Sequence, residues 1–184
     1  MGRLSDWLAV WEADVAGMLR DVVWSKITQR KIVDADEVCF FGSVRTLPRS
    51  MDYLMTIGKP VISPEIYVVG LKDGKLIPQD IWFEPAVITR LETITEELMQ
   101  GMTKLMEICD EEGFTKPTAV KSAVVVSTGE AFTKYDFDPL PKPPHSYMSA
   151  ADWSFNLWAY RVQTTGSALQ ELKNAFDQMK KGTK

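Results

Sequence analysis

The first periodic pattern of apolar residues lies at the start of the chain and has the spacing of an α-helix. It predicts a helix over residues 5 to about 30, capped by Ser5, with an apolar stripe formed by Leu4, Leu8, Trp11, Val15, Met18 and Val22. Beyond residue 20 the pattern widens, because Trp24 and Ile27 lie outside that stripe. This part of the helix therefore has a second apolar face, either enclosed between layers or shared with another chain.

Short apolar runs in the first half of the chain indicate β-strands. Residues 38–41, which are followed by Gly42 and Ser43, have the length of a buried strand. Residues 66–71 and 75–83 flank Asp73-Gly74, a dipeptide typical of tight hairpin turns. Pro78 lacks a backbone donor, which places the second strand of this hairpin at an edge or a bulge. Residues 46–57 fit a helix or a strand, and we favour a helix.

The second half of the chain continues with a helix, two strands and a final helix. Glu84-Pro85 and Gly113 have the residue types that begin and end a helix, and residues 118–128 and 131–137 predict two strands. Ser149 and Asp152 resemble a capping box at the start of the last helix, which extends to about Met179. The sequence Thr164-Thr165-Gly166 is its expected weak point.

The order of these elements predicts an α+β fold, with a mainly antiparallel sheet of four or five strands packed against three long helices. We expect three segments: a core domain at residues 1–138, a proline-rich connector at 139–148 and a C-terminal helix at 149–184. The connector holds four prolines and suits an extended path over the surface. The C-terminal helix packs on the core or on a partner.

Composition limits the classes of function. The chain of 184 residues is 45% hydrophobic and 25% charged, which is typical of a globular domain that needs no disulfide or metal to fold. Cys39 and Cys109 lie far apart and are expected to be buried thiols. The net charge of −4 argues against non-specific nucleic-acid binding. Without a long apolar run or a signal-peptide pattern, we expect a cytoplasmic protein with no membrane contact.

Charge is unevenly distributed along the chain. Residues 84–113 hold eight acidic residues against two basic ones, whereas residues 161–184 hold five basic residues against two acidic ones. Opposite charges of this kind can steer association. The acidic segment could attract the basic tail of the same chain or of a second copy.

The best candidate for a ligand site follows the strand at residues 38–41. Backbone N–H groups at Gly42 and Ser43, with the guanidinium groups of Arg45 and Arg49, could hold a phosphate or a carboxylate. Together with Asp52, this stretch resembles the nucleotidyltransferase signature, in which a Gly-Ser pair precedes an Asp-x-Asp that binds magnesium. Leu54 occupies the second acidic position here, so a magnesium ligand is missing.

A second resemblance covers residues 45 to about 82. The segments Arg45-Thr46, Gly58-Lys59-Pro60 and Gly74-Lys75-Leu76 are similar to the later half of BRCT domains, a family in which many members bind phosphopeptides. The earlier half of that family's pattern has no counterpart before Glu37, and Tyr67 stands near the usual tryptophan. No binding residue is therefore transferred from it.

Residues that could carry catalysis or hold a metal are few. His145 is the sole histidine, which rules out a two-histidine metal site within one chain and limits His-dependent catalysis. Its place in a polar connector indicates an exposed loop residue. Asp136 and Asp138 indicate a solvated turn, because their spacing does not fit a calcium loop. We therefore expect no cofactor and no metal.

Two functions remain. The first is a non-catalytic interaction protein that binds a protein partner or a second copy of itself through helical surfaces around Trp24, Ile27, Phe155 and Trp158, since exposed tryptophans dominate interface energetics. The second is a small enzyme or binding domain that holds a phosphorylated or carboxylate ligand at Gly42, Ser43, Arg45, Arg49 and Asp52. The missing catalytic residues favour the first.

Overall fold

A computed structural model describes residues 2–46 and 62–182, with the backbone alone for residues 45, 46, 62, 63 and 182. The described helices are α1 (Arg3–Asp21), α2 (Gln79–Trp82), α3 (Pro85–Glu112), α4 (Ala150–Thr165) and α5 (Ala168–Gly182). The described strands are β1 (Trp24–Ser25), β2 (Arg30–Lys31), β3 (Glu37–Thr46), β4 (Ile62–Lys72), β5 (Lys75–Leu76), β6 (Ala119–Val125) and β7 (Ala131–Asp136).

Five of these strands form one antiparallel sheet in the order β5-β4-β3-β6-β7. Strand β3 lies in the middle and pairs with β4 on one side and β6 on the other. The short strands β1 and β2 form a separate hairpin. These observations confirm the predicted α+β fold and the mainly antiparallel sheet.

Helices cover both faces of the sheet. Alternate residues of a strand point to opposite faces, and in β3 the side chains of Val38 and Phe40 join one buried cluster while Cys39 and Phe41 join another. Helices α1 and α3 contribute to the first cluster, and α4 and α5 contribute to the second. The result is a three-layer arrangement in which the central strands are buried on both sides.

Local signals at the ends of α3 and α4 behave as the sequence predicts. Pro85 is at the first position of α3, and Gly113 ends it in the left-handed conformation with φ 75°. The hydroxyl of Ser149 accepts a hydrogen bond from the Asp152 N–H at the start of α4. Gly166, with φ 86°, separates α4 from α5. The predicted weak point is thus a break between two helices.

The second helix of that pair is fixed to the sheet at its first turn. The carboxylate of Glu37, which is buried at the start of β3, accepts a hydrogen bond from the Leu169 N–H at 2.9 Å and from the Ser167 hydroxyl at 3.0 Å. An acid at this position stabilises the unpaired N–H groups and the positive end of the helix dipole.

The prediction for the first helix needs correction at both ends. Helix α1 begins at Arg3, with Gly2 in place of Ser5 as its cap, and ends at Asp21 instead of continuing to residue 30. The chain then forms the β1–β2 hairpin, whose turn includes Gln29 with a positive φ of 55°. The apolar residues after position 20 therefore widen the pattern because the chain leaves the helix.

The hairpin around Asp73-Gly74 is present but is shorter than expected on its second side. Both turn residues have positive φ, 51° and 80°, as a tight hairpin turn requires. Strand β5 is only two residues long and lies at the sheet edge, and after Pro78 the chain forms α2. The predicted helix at residues 46–57 lies almost entirely outside the described residues.

Most of the buried side chains are apolar. Both cysteines are buried free thiols, and burial raises the pKa of each thiol. Among the described helices, none combines the length and hydropathy needed to cross a bilayer.

Helices α1 and α3 pack closely where Trp11 meets Gly101. A Cβ atom added at Gly101 would lie 2.3 Å from Trp11 Nε1, and Trp11 is buried and stacked on Trp7 with ring centroids 5.1 Å apart. We expect Gly101→Ala to lower the free energy of unfolding by about 1–2 kcal/mol, because overpacking outweighs the gain in helix propensity. Equilibrium denaturation in guanidinium chloride measures the change.

Gly17 in α1 is the matched control, since a Cβ atom there meets nothing within 4 Å. Gly17→Ala should raise the free energy of unfolding by about 0.5–1 kcal/mol through helix propensity alone. Equal effects of the two substitutions would contradict the close packing of α1 on α3.

Candidate functional site

The predicted ligand residues Gly42 and Ser43 do not lie in a turn. They are inside β3, where Gly42 is opposite Ile66 and Val120 and Ser43 is opposite Glu65 and Ala119. Their backbone groups belong to a central strand paired on both sides, so they are not free to cradle a phosphate. The prediction that the strand ends at residue 41 was wrong, and this part of the ligand site is corrected with it.

Glycine is needed at position 42 for packing. An added Cβ atom would lie 2.7 Å from the ring of Phe40 and 3.1 Å from Ile66. Arg45 has its backbone in β3, opposite Ser63, while its side chain lies outside what the structure describes. Arg49 and Asp52 also lie outside the described residues, so a site formed by all five predicted ligand residues stays a prediction.

The predicted interface residues in α4 face the interior of the molecule. Trp158 is 1% exposed and belongs to the cluster beneath the second sheet face. Phe155 is half-buried and stacks on Tyr67 of β4 with ring centroids 4.6 Å apart. Trp158 and Phe155 therefore both pack against aromatic side chains of their own chain. A side chain enclosed in this way cannot meet a partner, so the interface prediction for Trp158 is corrected.

The other two predicted interface residues lie at the β1–β2 hairpin. Ile27 is 95% exposed. Trp24 is half-buried, with the Arg20 guanidinium 5.1 Å from its ring centroid. Arg90 holds the base of the hairpin through hydrogen bonds to the carbonyls of Asp21 and Trp24, at 2.6 and 3.0 Å. A role for Trp24 and Ile27 in an interface stays a prediction.

His145 is exposed and stacks on Tyr147 with ring centroids 5.0 Å apart. Within residues 2–46 and 62–182, no group of three or more His, Cys, Asp or Glu side chains is arranged to hold a metal ion.

A cavity of about 340 Å³ lies between strands β6 and β7 and the helices α4 and α5. Apolar side chains from β3, α4, α5 and the connector form part of its wall, including Phe41, Leu140, Leu157 and Leu172. Charged and polar side chains form the rest, including Lys121, Lys134, Asp136, Ser154, Arg161 and Glu171. We call this space the charged cavity.

Two lysines of the charged cavity lie side by side on the sheet. Lys121 of β6 is directly opposite Lys134 of β7, and both point to the face covered by α4 and α5. Their side chains are only 12% and 10% exposed. Like charges directly opposite one another destabilise a sheet, so this pair needs a counter-charge.

Asp136 supplies that counter-charge. Lys121 Nζ lies 2.8 Å from Asp136 Oδ2, and Lys134 donates a hydrogen bond to the other carboxylate oxygen. Lys121 also lies over two aromatic rings, 6.0 Å from the centroid of Phe41 and 5.8 Å from that of Trp158. Asp136 is thus part of a partly buried ion cluster in β7 and does not lie in the solvated turn that the sequence indicated.

Burial and charge shift the pKa values of this cluster. Burial alone would raise the pKa of Asp136, but Lys121 and Lys134 outweigh it and hold the pKa below its ordinary value. Burial lowers the pKa of Lys121, and the attraction of Asp136 offsets only part of that decrease. An additional anion beside Lys121 would favour its charged form.

A second polar pair lies on the helical side of the cavity. Glu171 of α5 is buried, and its Oε2 accepts a 2.6 Å hydrogen bond from Trp158 Nε1. Its Oε1 lies 3.4 Å from the Nε of Arg161, whose side chain is half exposed. Both carboxylate oxygens of Glu171 are therefore engaged, and Arg161 is held at the cavity wall.

Ser154 of α4 is the exception among these polar groups. It is 7% exposed, and its buried hydroxyl has no hydrogen-bond partner among the described residues. Leaving a buried hydroxyl unpaired costs about 1–3 kcal/mol. A polar group in this state, on the wall of a cavity, marks a place where a bound molecule can supply the missing partner.

Two lysines in the sequence are a signal for this site that cannot be interpreted without the structure. Lys121 interrupts the apolar run of β6, and Lys134 occupies the matching position of β7. A lysine inside a strand is expected to face solvent when one sheet face is open. The pair of lysines indicates a buried site only when both sheet faces are known to be covered. The sequence alone does not show that α4 and α5 pack on the second face.

We expect the cluster of Lys121, Lys134 and Asp136 to make the free energy of unfolding depend on pH in acid. The pKa of Asp136 is lowered by folding, so its ionised form stabilises the fold above the unfolded value of about 4, and this contribution is lost as the pH falls through the lower folded-state value. Asp136→Asn should therefore reduce the dependence of unfolding free energy on pH below about pH 4. Denaturant titrations at a series of acidic pH values measure this slope.

Asp138 is the matched control, because it is exposed and only two residues away. Asp138→Asn should leave the slope unchanged. If Asp136→Asn kept the wild-type slope, the two lysines would not stabilise the ionised carboxylate.

Comparison of the chain with protein-family models, with curated proteins and with solved structures found no match in any of the three. The resemblances to nucleotidyltransferases and to BRCT domains therefore receive no support from these comparisons. Function has to be argued from the charged cavity and from the surfaces of the fold.

Proposed function

We propose that this protein binds a small ligand that carries a carboxylate or phosphate group on a compact apolar body, and that the ligand occupies the charged cavity. The observation that carries the proposal is the buried Ser154 hydroxyl, which lacks a partner among the described residues and belongs to a residue that lines the same cavity as two nearly buried lysines. This ligand class matches the alternative function expected from the sequence, but the site is a different one.

Hydrogen-bond donors exceed acceptors in the charged cavity. Each lysine ammonium has three donors, and among the described contacts each gives one to Asp136. The guanidinium of Arg161 has five donors, of which Nε–H is directed at Glu171. The oxygens of Asp136 and Glu171 are already engaged. A ligand rich in acceptors, such as a carboxylate or phosphate, would use the remaining donors.

The charge in the cavity also favours an anion near the sheet. Lys121, Lys134 and Arg161 carry three positive charges, against the two negative charges of Asp136 and Glu171. The remaining lining acid, Asp138, is exposed at the rim, where water screens its charge. An anion beside the two lysines would therefore meet a local excess of positive charge in a partly buried site.

The size and apolar walls of the cavity limit the rest of the ligand. A volume of about 340 Å³ is at the lower end of the range for small-molecule sites, roughly 300–1,000 Å³. Phe41, Leu157 and Leu172 offer apolar and aromatic surface beside the charged groups. The proposal is thus for a small amphipathic anion.

Binding is tested by thermal unfolding with a panel of small aliphatic and aromatic carboxylates and phosphate monoesters. A ligand at about one hundred times its dissociation constant adds about 2.7 kcal/mol to stability, which for a chain of this size is a shift of several degrees. We expect Lys121→Gln to reduce or abolish the shift. Lys173→Gln, on α5 and outside the residues that line the cavity, is the matched control and should keep it.

Ser154→Ala separates ligand binding from a structural role. The Ser154 hydroxyl has no partner among the described residues, so its removal should leave the ligand-free protein equally stable or slightly more stable, while affinity falls about tenfold, the equivalent of 1.4 kcal/mol. Calorimetric titration measures the affinity. A loss of stability without ligand, or a panel that produces no shift in the wild type, would contradict the proposal.

A further inference from the structure

Strand β7 lies at one edge of the five-stranded sheet and pairs with β6 alone. In an antiparallel pair, the backbone groups of alternate residues point to the neighbouring strand and those of the residues between them point away. The groups that point away at a sheet edge are free to pair with another strand.

The hydrogen bonds of β6 show which residues of β7 point outwards. Val126 N–H donates to Asp36 on the β3 side, and Val125 N–H donates to Glu130 on the β7 side. Odd-numbered residues of β6 therefore bond to β7, and in the observed register they bond to residues 130, 132, 134 and 136. The backbone N–H and C=O groups of Ala131, Thr133 and Tyr135 face away from the sheet.

At the opposite edge of the sheet, part of β4 is covered by hydrogen bonds from the same chain. There, the Gly70 carbonyl accepts a hydrogen bond from Ile77 N–H, and the Val68 carbonyl accepts one from Trp82 Nε1. The chain thus covers part of the β4 edge with its own residues. Among the described residues, no such hydrogen bond covers the outward groups of β7.

We propose that two copies of this chain associate by antiparallel pairing of their β7 strands, which joins the two sheets into one of ten strands. Identical strands that pair antiparallel around a two-fold axis present the same surface to each other, so the contact closes in a dimer. In a register centred on Thr133, the six outward backbone groups of each copy all form hydrogen bonds.

Side chains fit this register on both faces. Ala131 would lie opposite the partner's Tyr135, a small residue against a large one. Phe132 would lie opposite the partner's Lys134, a pairing that allows a cation–π contact. The acidic residues at the strand ends are neutralised within each copy, since Glu130 pairs with Lys173 and Asp136 with two lysines.

The surface beside β7 leaves space for the second copy. A groove of about 640 Å³ runs between α1 and the β7 edge. Helix α1 lines this groove with four small residues, Ala9, Ala13, Ala16 and Gly17, and with two charged residues, Glu12 and Arg20. The four small residues leave room for helix α1 of the partner, and this surface differs from the tryptophan-rich helices on which the sequence suggested self-association.

The first test is the mass of the chain in solution by sedimentation velocity over a concentration series. We expect the wild type to sediment as a dimer at about 100 μM, a concentration well above the micromolar dissociation constants typical of transient contacts. Ala131→Pro removes an N–H that β6 does not use, and proline is tolerated at the start of an edge strand. This variant should sediment as a monomer, and Lys142→Pro in the connector should remain a dimer.

Amide hydrogen exchange in the wild type provides a test that needs no variant. In the dimer, the amides of Ala131, Thr133 and Tyr135 should exchange at least about tenfold more slowly at high than at low protein concentration. The amides of Phe132, Lys134 and Asp136, which bond to β6, should be protected at both. A wild type that stays monomeric at about 100 μM, or outward amides that exchange fast at every concentration, would overturn the proposal whether or not Ala131→Pro folds.

Discussion

The structure depends on the burial of its sheet from both sides. Helices α1 and α3 cover one face, while α4 and α5 cover the other. Strand β3 is therefore enclosed, and Phe40 and Phe41, adjacent in sequence, lie in two different clusters at no measurable exposure. Burial of two such rings contributes about 3–6 kcal/mol. The remaining features of the molecule follow from this arrangement, because it determines which polar side chains are removed from water.

Lys121 and Lys134 in the charged cavity are two polar side chains that this arrangement removes from water. On a sheet with one open face, Lys121 and Lys134 would be ordinary solvent-exposed residues. Under α4 and α5 they lose most of their contact with water, and Asp136 compensates for part of the cost. Buried ion clusters of this kind contribute little net stability. Together with the hydroxyl of Ser154, which has no partner among the described residues, this cluster is the basis of the proposed ligand site.

Inward-pointing lysines also have a structural explanation, since charged residues on an edge strand discourage uncontrolled pairing between sheets. Lys134 meets this description in a single copy of the chain, where β7 is the edge strand, but not in the proposed dimer, where β7 is paired on both sides. Lys121 does not, because β6 is paired on both sides. The explanation therefore accounts for at most one of the two lysines, whereas the proposed ligand would contact both.

The sequence predicted those parts of the fold that depend on local chemistry. Helix α3 begins at Pro85 and ends before Gly113, and the Asp73-Gly74 turn has the expected dihedral angles. The sequence could not show which layer each amphipathic helix covers, since Trp158 has the same hydropathy in a core and in an interface. It also placed the ligand at Gly42-Ser43, because a Gly-Ser pair after an apolar run usually ends a strand, whereas here the strand continues to Thr46.

The central claim is that the charged cavity holds an anion between the two lysines and Ser154. A crystal structure of the chain soaked with a short carboxylate, such as propionate, tests it most directly. The account predicts a carboxylate within hydrogen-bond distance of Lys121, Lys134 and the Ser154 hydroxyl. A cavity that holds only water, with both lysines bound to Asp136 alone and the Ser154 hydroxyl bonded to a protein group, would contradict it.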